Sequence, residues 1–301
     1  MGFTLDKVVP WGRSFEEYVA MFNLTDHDLG RRILGCGDGP AGFNAELTRR
    51  GGRIVSVDPI YAFDATQIRH RIAETYDAVM AQMRKNEGAY IWTSIASVDD
   101  LGRVRMSAME TFLADFNAGK DEGRYIPGEL PSLPFESGKF DIALSSHFLF
   151  LYSAHLSAEF HLQALQEMLR VSREVRVLPL LALDGALSPH LDLVSEHLAS
   201  NGFNIEVRHV PYEFQRGGNE CWSSNSSNMA VKRDAPKAAR PLPLRWVAGN
   251  VEPQFELWKS RGLQCQEVNI CTWKEARDAL PTRTELVSRN RAGGTRCKSL
   301  C

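Results

Sequence analysis

The feature that most constrains this chain is a glycine-rich turn between a short apolar strand and a helix. The segment that starts at Ile33 reads ILGCGDGPAGFNAELTRRGGRIVSVDPIY, and Gly35, Gly37 and Gly39 alternate through its turn. Because glycine has no Cβ, such a turn lets the backbone approach a ligand closely. Asp38 lies between two of these glycines, where its carboxylate is able to meet an ammonium or a hydroxyl group. The turn therefore predicts a ligand site.

An acidic residue ends the strand that follows this turn. Residues 54–57 are apolar apart from one serine, and Asp58 and Pro59 come directly after them. In a doubly wound sheet, an acid at the end of the second strand can accept hydrogen bonds from both hydroxyl groups of a ribose. The glycine turn and Asp58 together predict an adenosine-type cofactor at the carboxyl ends of these strands.

Two adenosine cofactors fit this pattern. Gly37, Gly39 and Gly42 match the G-x-G-x-x-G fingerprint of dinucleotide sites, in which an acid follows about 20 residues later. Pro40, however, has no backbone N–H to offer to a pyrophosphate. S-adenosylmethionine contains no phosphate, so the missing donor costs it little. The residues favour S-adenosylmethionine, and a nicotinamide dinucleotide, which would indicate an oxidoreductase, remains the alternative.

The first 215 or so residues alternate between strand and helix patterns. Ser14 and Glu17 form a predicted capping box that opens a first helix. Apolar runs predict strands over residues 32–35, 54–57, 140–145, 175–183 and 205–210. Helical spacing predicts helices over residues 43–50, 66–83, 97–117, 156–171 and 189–200. This alternation indicates an α/β fold with a doubly wound, mostly parallel sheet.

The last third of the chain has a different composition. From Cys221 onward the sequence is polar or rich in proline and glycine, without clean periodicity. Short helices are expected there only over residues 252–261 and 274–280. We therefore expect a cofactor-binding domain over residues 1–220 and a poorly defined, irregular C-terminal extension over residues 221–301.

Composition and charge narrow the class of protein. The formal net charge is -2, which gives no electrostatic reason to expect nucleic acid or an anionic membrane as a partner. No apolar run has the length of a membrane span, and the N-terminal residues lack the apolar core of a signal peptide. We expect a cytoplasmic protein in which the six cysteines are free thiols. No CxxC pair occurs, so no metal site is expected.

Several motifs of the chain resemble those of a known family. ILGCGDG, VSVDP and LPFESGKFDIALSS resemble the successive motifs of class I S-adenosylmethionine-dependent methyltransferases, in the same order. The resemblance covers roughly residues 14–215. Within it, EYVAMFNL, GPAGFNAELTRRGG and SVDPIY are similar to a group of uncharacterised bacterial methyltransferase-like proteins. The resemblance implies the Rossmann-like class I methyltransferase fold, which ends in a hairpin whose last strand is inserted antiparallel.

The resemblance also implies roles for individual residues. The turn glycines Gly35, Gly37 and Gly39 would lie under the methionine part of the cofactor, and Asp58 would bind its ribose. The family often has an acidic or small polar residue after strand three, near the adenine amino group. Glu129 in YIPGELPSLPF matches that place, with Leu130 as its apolar neighbour.

By the same resemblance, the end of the fourth strand faces the cofactor and the substrate. Ser145, Ser146 and His147 occupy that position. The unperturbed pKa of histidine suits proton transfer near neutral pH, so His147 is the candidate general base. The alternative is a histidine packed beneath the loop. The implied activity is methyl transfer from S-adenosylmethionine to a small-molecule acceptor.

Two features depart from the family pattern. The family usually has an acid two positions before the first glycine, where it meets the cofactor's ammonium, but here that position is Ile33. Asp38 is the candidate substitute. A seventh strand is due after residue 210, yet the chain continues into CWSSNSSN, so residues 229–233 are a candidate displaced strand. These departures leave open a non-catalytic domain that binds the cofactor or serves as an interaction module.

Overall fold

The computed structural model of the protein describes residues 9–226. The strands in this range are β1 (Arg32–Cys36), β2 (Arg53–Val57), β3 (Tyr125–Ile126), β4 (Phe140–Ser146), β5 (Ser172–Leu178), β6 (Phe203–His209) and β7 (Glu220–Ser226). They form one 7-stranded sheet in the order β3-β2-β1-β4-β5-β7-β6. Strands β1 to β5 run parallel, whereas β7 is antiparallel to both β5 and β6. The predicted doubly wound, mostly parallel sheet is confirmed.

Helices separate most of these strands along the chain. Those in residues 9–226 are α1 (Phe15–Met21), α2 (Asp26–Leu29), α3 (Phe43–Arg49), α4 (Ala65–Lys85), α5 (Val98–Asp121), α6 (Ala158–Val171) and α7 (Leu191–Ser200). Each helix predicted within residues 9–226 is present, with its ends shifted by a few residues. Helix α2 was not predicted, and a capping box of Thr25 and Asp28 starts this single turn. In this part of the chain no helix is both long and apolar enough to span a bilayer.

The capping box that the sequence predicts at α1 is present. The Ser14 hydroxyl accepts a hydrogen bond from the Glu17 N–H at 3.2 Å, and the Glu17 carboxylate accepts one from the Ser14 N–H at 3.0 Å. Two of the amide groups at the helix start are thereby satisfied. Tyr18 and Met21 are buried one turn further on and fix α1 to the sheet. The box therefore holds the Glu17 carboxylate in one place.

Apolar side chains cover both faces of the sheet. On β1, Ile33 packs in a cluster with residues of α1, α3, α4 and α5, whereas its neighbour Leu34 packs in a second cluster with residues of α6 and α7. Both side chains are fully buried. Alternate residues of a strand point to opposite faces, so a strand that is apolar at every position is covered on both sides.

The longest helices, α4 and α5, are both inserted between β2 and β3. They pack against each other, and α5 also contacts α3. Phe112 and Phe116 on α5 are fully buried against Tyr61 and Tyr125 at the end of β2 and on β3. This insertion brings the buried face of α5 to the carboxyl edge of the sheet.

The seventh strand lies where an irregular tail was expected. The segment ECWSSNS forms β7 between β5 and β6, with Trp222 opposite both Val177 and Val207. Trp222 is fully buried, and its indole N–H donates a hydrogen bond to the Ser195 hydroxyl at 3.0 Å. Hydrogen bonds to two neighbouring strands outweigh the low strand propensity of serine and asparagine. The expectation that the chain becomes irregular at Cys221 was therefore wrong.

The sheet thus extends a few residues past position 220. The expected displaced strand at 229–233, the helices at 252–261 and 274–280, and most of the expected C-terminal extension lie outside the described residues. Cys36 and Cys221 are buried free thiols, as expected. The remaining cysteines also lie outside the described residues.

Candidate functional site

The glycine turn connects the end of β1 to the start of α3. Gly37 and Gly39 have positive φ angles of 69° and 54°, a conformation that other residues adopt only with strain. A Cβ added to Gly37 would lie 2.9 Å from the Phe148 ring, whereas one added to Gly39 would meet no heavy atom within 4 Å. The turn is therefore open to a ligand at Gly39 and closed by an aromatic ring at Gly37.

Asp58 lies directly against this turn. Its Oδ2 accepts a hydrogen bond from the Gly39 N–H at 2.8 Å, and its Oδ1 accepts one from the Ile60 N–H at 2.9 Å. Each oxygen keeps a second lone pair, so the carboxylate still has room for hydroxyl donors. The two features that the sequence predicts as one cofactor site are joined by a direct hydrogen bond.

Asp58 carries its charge in a buried position. Burial raises its pKa to about 6, against the hydrogen bonds from the Ile60 and Gly39 amides, which lower it. The negative charges of Asp38 and Glu129 raise it further. Two other carboxylates therefore lie close enough to Asp58 to affect its pKa at this edge of the sheet.

Asp38 points into the protein rather than along the turn. Its Oδ1 accepts a hydrogen bond from the Tyr18 hydroxyl at 2.8 Å, and its Oδ2 accepts one from the Ser56 hydroxyl at 2.6 Å. A Cβ at Gly35 would lie 1.7 Å from this Oδ2, which gives position 35 a structural reason to be glycine. Burial raises the pKa of Asp38 to about 6, although both hydroxyl donors lower it.

Glu129 and Leu130 lie beyond the end of β3, next to Asp58. Leu130 is buried in the same cluster as Val57, the last residue of β2. The Glu129 side chain is exposed, and its charge raises the pKa of Asp58. The structure thus brings the residues predicted for the adenine end of a cofactor to the residue predicted for its ribose.

Ser145 is fully buried near the end of β4. Among residues 9–226 its hydroxyl has no hydrogen-bond partner. Buried polar atoms usually have a partner, so the Ser145 hydroxyl is an exception at this edge of the sheet.

His147 follows β4 in a strained conformation. Its φ angle is 53°, and its N–H donates a hydrogen bond to the Leu178 carbonyl at 2.7 Å. The ring Nδ1 lies 3.0 Å from the Ser146 hydroxyl. Burial lowers the pKa of His147 well below its usual value, and the positive charges of Arg13 and Arg105 lower it further. The imidazole is therefore neutral at pH 7, and the two nearby cations weaken it as a base.

Arg13 and Arg105, which were not predicted from the sequence, both act on His147. Arg105 is fully buried on α5 and forms an ion pair with Glu17. One signal was present in the sequence. Leu101, Arg105 and Met109 are spaced by four residues, so a charge lies on the apolar face of the helix.

Arg13 is placed by a close crossing of two chain segments. A Cβ at Gly12 would lie 2.0 Å from the Pro40 carbonyl oxygen, so only glycine fits there. The Gly42 N–H donates a hydrogen bond to the Arg13 carbonyl at 2.9 Å. The residues before α1 therefore cross the glycine turn and bring Arg13 to the site. No group of three or more His, Cys, Asp or Glu side chains in the described residues is arranged to hold a metal ion.

The strand order and the antiparallel β7 define the Rossmann-like class I methyltransferase fold. No family model matches the chain. It is 33% identical to the uncharacterized protein MJ0045 of Methanocaldococcus jannaschii over 219 residues, which is 72% of this chain and 95% of that protein. The chain belongs to the same family as this archaeal protein.

The chain also aligns with solved structures of methyltransferases. A magnesium protoporphyrin IX methyltransferase from Synechocystis PCC 6803 with bound SAM is 13% identical, with a TM-score of 0.38, over 71% of this chain and 78% of that one. A SAM-dependent methyltransferase of Thermotoga maritima, a possible histamine N-methyltransferase, is 12% identical, with a TM-score of 0.34, over 70% and 88% of the two chains. The fold assignment rests on the strand order and register, and not on these scores.

Proposed function

We propose that the protein is an S-adenosylmethionine-dependent methyltransferase that acts on a small-molecule acceptor. The observation that carries this proposal is the 2.8 Å hydrogen bond from the Gly39 N–H to the Asp58 carboxylate. It joins the glycine turn after β1 to the acid after β2, at the edge of the sheet where doubly wound proteins bind nucleosides.

The residues present fit this cofactor. Asp58 keeps acceptor capacity for the ribose hydroxyls, and the space beside Gly39 is open. Glu129 and Leu130 are the candidates for the adenine end. Ser145 offers an unpaired buried hydroxyl to the same edge. Gly35 and Gly37 would lie under the methionine part, as the resemblance implies.

The turn offers few donors to a pyrophosphate, which argues against a nicotinamide dinucleotide. The Gly37 N–H donates to the Val57 carbonyl at 2.9 Å, and the Gly39 N–H donates to Asp58. Pro40 has no N–H, and the Gly42 N–H is used by Arg13. Dinucleotide sites depend on free amide groups at this position, so S-adenosylmethionine is the better fit.

The ammonium of the cofactor would lack the acid that is usual in this fold. Ile33, at that position, is fully buried in an apolar cluster. Asp38 is the nearest acid within the turn, and its carboxylate is held by Tyr18 and Ser56. We assign the Asp38 carboxylate as the negative charge beneath the turn that would attract the cofactor's ammonium.

When bound, the cofactor supplies an electrophilic methyl group on a sulfonium. His147 is our candidate to accept the proton that the acceptor's nucleophile loses, and its imidazole is neutral at pH 7. Its ring lies edge-on to Tyr212, with 6.2 Å between the ring centroids. Burial of these groups excludes water and holds the acceptor in one orientation, which can provide much of the acceleration.

Calorimetry with the full-length protein tests this function. S-adenosylmethionine and S-adenosylhomocysteine should bind, whereas NAD and NADP should not. Asp58→Ala should abolish binding. Asp121→Ala, which removes an exposed acid at the end of α5, is the matched control and should bind normally. Binding of NAD alone would contradict the proposal, and binding of the cofactor without turnover of any acceptor would favour the non-catalytic alternative.

A further inference from the structure

Four polar side chains meet beside the candidate base and form a cluster of five with it. The five are Arg13, Glu17, Arg105, His147 and Tyr212, and we refer to them as the arginine cluster. They come from the segment before α1, from α1 and α5, from the residue after β4, and from the connection between β6 and β7. That connection is fixed in place, because the Ile91 N–H donates to the Phe214 carbonyl at 2.8 Å.

Arg105 is buried with only part of its guanidinium satisfied. Its exposed fraction is 0%, and one terminal nitrogen pairs with Glu17. Among the described residues, its Nε and its other terminal nitrogen have no hydrogen-bond partner. Leaving buried N–H groups of a cation unpaired is costly. Tyr212 also interacts with both guanidinium groups, but its hydroxyl is neutral and does not offset their charge.

Arg13 shows the same pattern. One of its terminal nitrogens donates to the Trp11 carbonyl at 3.0 Å, while its Nε is buried and has no partner in residues 9–226. Burial lowers the pKa of Arg13, and repulsion from Arg105 lowers it further. Each guanidinium group is therefore repelled by the positive charge of the other. Arginine keeps its proton in proteins, so neither group relieves this repulsion by becoming neutral.

Glu17 does not balance both charges. Its Oε2 already accepts from the Ser14 N–H and pairs with Arg105, and its Oε1 accepts from the Tyr212 hydroxyl at 3.4 Å. Within the described residues, two cations therefore face a single carboxylate. One positive charge remains, which matches a monoanion such as a carboxylate.

The uncompensated charge lies next to the group that would accept a proton. Both guanidinium groups lower the pKa of His147, so their positive charges act on its ring. The Arg105 Cζ lies 5.8 Å from the centre of the Phe214 ring, and Phe214 stacks on Tyr90 with 4.9 Å between the centroids. Aromatic side chains therefore lie beside the uncompensated charge.

We propose that the methyl acceptor is a small carboxylic acid, whose carboxylate is bound by Arg13 and Arg105 while its nucleophile faces His147. This inference rests on the proposed methyl transfer. A planar guanidinium binds a carboxylate through parallel hydrogen bonds, which explains why arginine is used at both positions. A purely structural role for Arg105 would account for its pairing with Glu17 but not for the unpaired nitrogens of both residues.

Benzoate is the probe, and benzamide is its neutral counterpart of the same shape. Each is titrated into the full-length protein by NMR, with and without S-adenosylhomocysteine. We expect benzoate to bind at least about tenfold more tightly than benzamide, as for a charge-assisted contact. Benzoate should also raise the pKa of His147, followed through its ring proton, because it neutralises the nearby cations. Inorganic phosphate serves as a third ligand and should bind more weakly than benzoate.

Arg13→Gln is the variant of choice, because Arg13 forms no ion pair within the described residues, and its loss should leave the fold intact. It should weaken benzoate binding about tenfold and leave the affinity for S-adenosylhomocysteine unchanged. Arg103→Gln is the matched control. Arg103 lies on the same helix as Arg105 but is 78% exposed, so benzoate binding should not change.

The outcomes separate this inference from the proposed function. Equal binding of benzoate and benzamide, tighter binding of phosphate, or an unchanged affinity in Arg13→Gln would overturn the carboxylate site while methyl transfer stands. If S-adenosylmethionine and S-adenosylhomocysteine do not bind the wild-type protein, the proposed function fails, whatever the result with benzoate.

Discussion

Asp38 allows the energetics of the site to be tested without knowledge of the acceptor. In the folded protein, burial raises its pKa from the ordinary 3.8 to about 6. A pKa difference of about 2 corresponds to about 3 kcal/mol. The sign follows from proton linkage. Because the folded state binds the proton more tightly, the free energy of unfolding increases as pH falls from about 6 towards 4. Above pH 6 the charged carboxylate destabilises the fold in full.

Asp38→Asn should therefore stabilise the protein above pH 6. Both partners of Asp38 are hydroxyl groups, those of Tyr18 and Ser56, and each can accept as well as donate a hydrogen bond. The amide thus keeps both contacts and removes the buried charge. We expect a gain of up to about 3 kcal/mol at pH 7.5, which shrinks towards zero near pH 4 as the wild-type carboxyl takes up its proton.

Asp58→Asn is the informative comparison. The two oxygens of Asp58 accept from the Gly39 and Ile60 amides, which cannot reverse their role. The side-chain NH2 of asparagine would face one of these N–H groups, at a cost of about 1–3 kcal/mol for the unpaired donor. This cost offsets the removal of charge, so Asp58→Asn should not share the gain of Asp38→Asn.

Urea unfolding at pH 7.5 and at pH 4.5, without cofactor, measures these differences through the midpoint and the slope. The reasoning is refuted if Asp38→Asn is less stable than the wild type at pH 7.5, or if the difference between them is the same at both pH values. A change in slope would show that the substitution alters the compactness of one state.

Three further outcomes follow from the same contacts. Affinity for S-adenosylmethionine should fall by up to about tenfold for each pH unit below 6, because Asp58 then takes up a proton. Calorimetry across pH 5 to 8 tests this prediction, and an affinity that does not change with pH would contradict it. Gly39→Ala should lower the free energy of unfolding by about 1–2 kcal/mol because of the positive φ at this position, and it should also weaken cofactor binding. Gly51→Ala is the control. Its φ is 83° and its Cβ would lie in open space, so it should lower only the melting temperature. Trp222→Ala should cost about 3–5 kcal/mol, because it empties a fully buried position of β7; a loss below 1 kcal/mol in urea unfolding would argue against β7 as a central strand.

The local spacing of apolar residues was sufficient to predict most of the fold. Strands β1, β2 and β4 and helices α3 to α6 follow from short-range spacing of apolar residues, because one face or both faces of each element are buried. The relation between the glycine turn and Asp58 was also predictable. Both lie at strand ends, and the carboxyl ends of adjacent parallel strands meet at one edge of the sheet.

Other features depend on contacts that local sequence does not encode. Strand β7 is polar at most positions, and it is a strand because β5 and β6 supply hydrogen bonds on both sides. The direction of the Asp38 carboxylate depends on Tyr18 and Ser56, which lie on separate elements.

The arginine cluster is the clearest case. Arg13 and Arg105 are 92 positions apart in the sequence, and an arginine on a helix is ordinarily a solvated surface residue. Only the packing of α5 against α1, and the crossing of Gly12 over Pro40, bring both cations to His147. The sequence alone predicted that the glycine turn and Asp58 meet at one edge of the sheet. The tertiary structure decided which charges surround that place, because electrostatic effects depend on distance and burial in three dimensions.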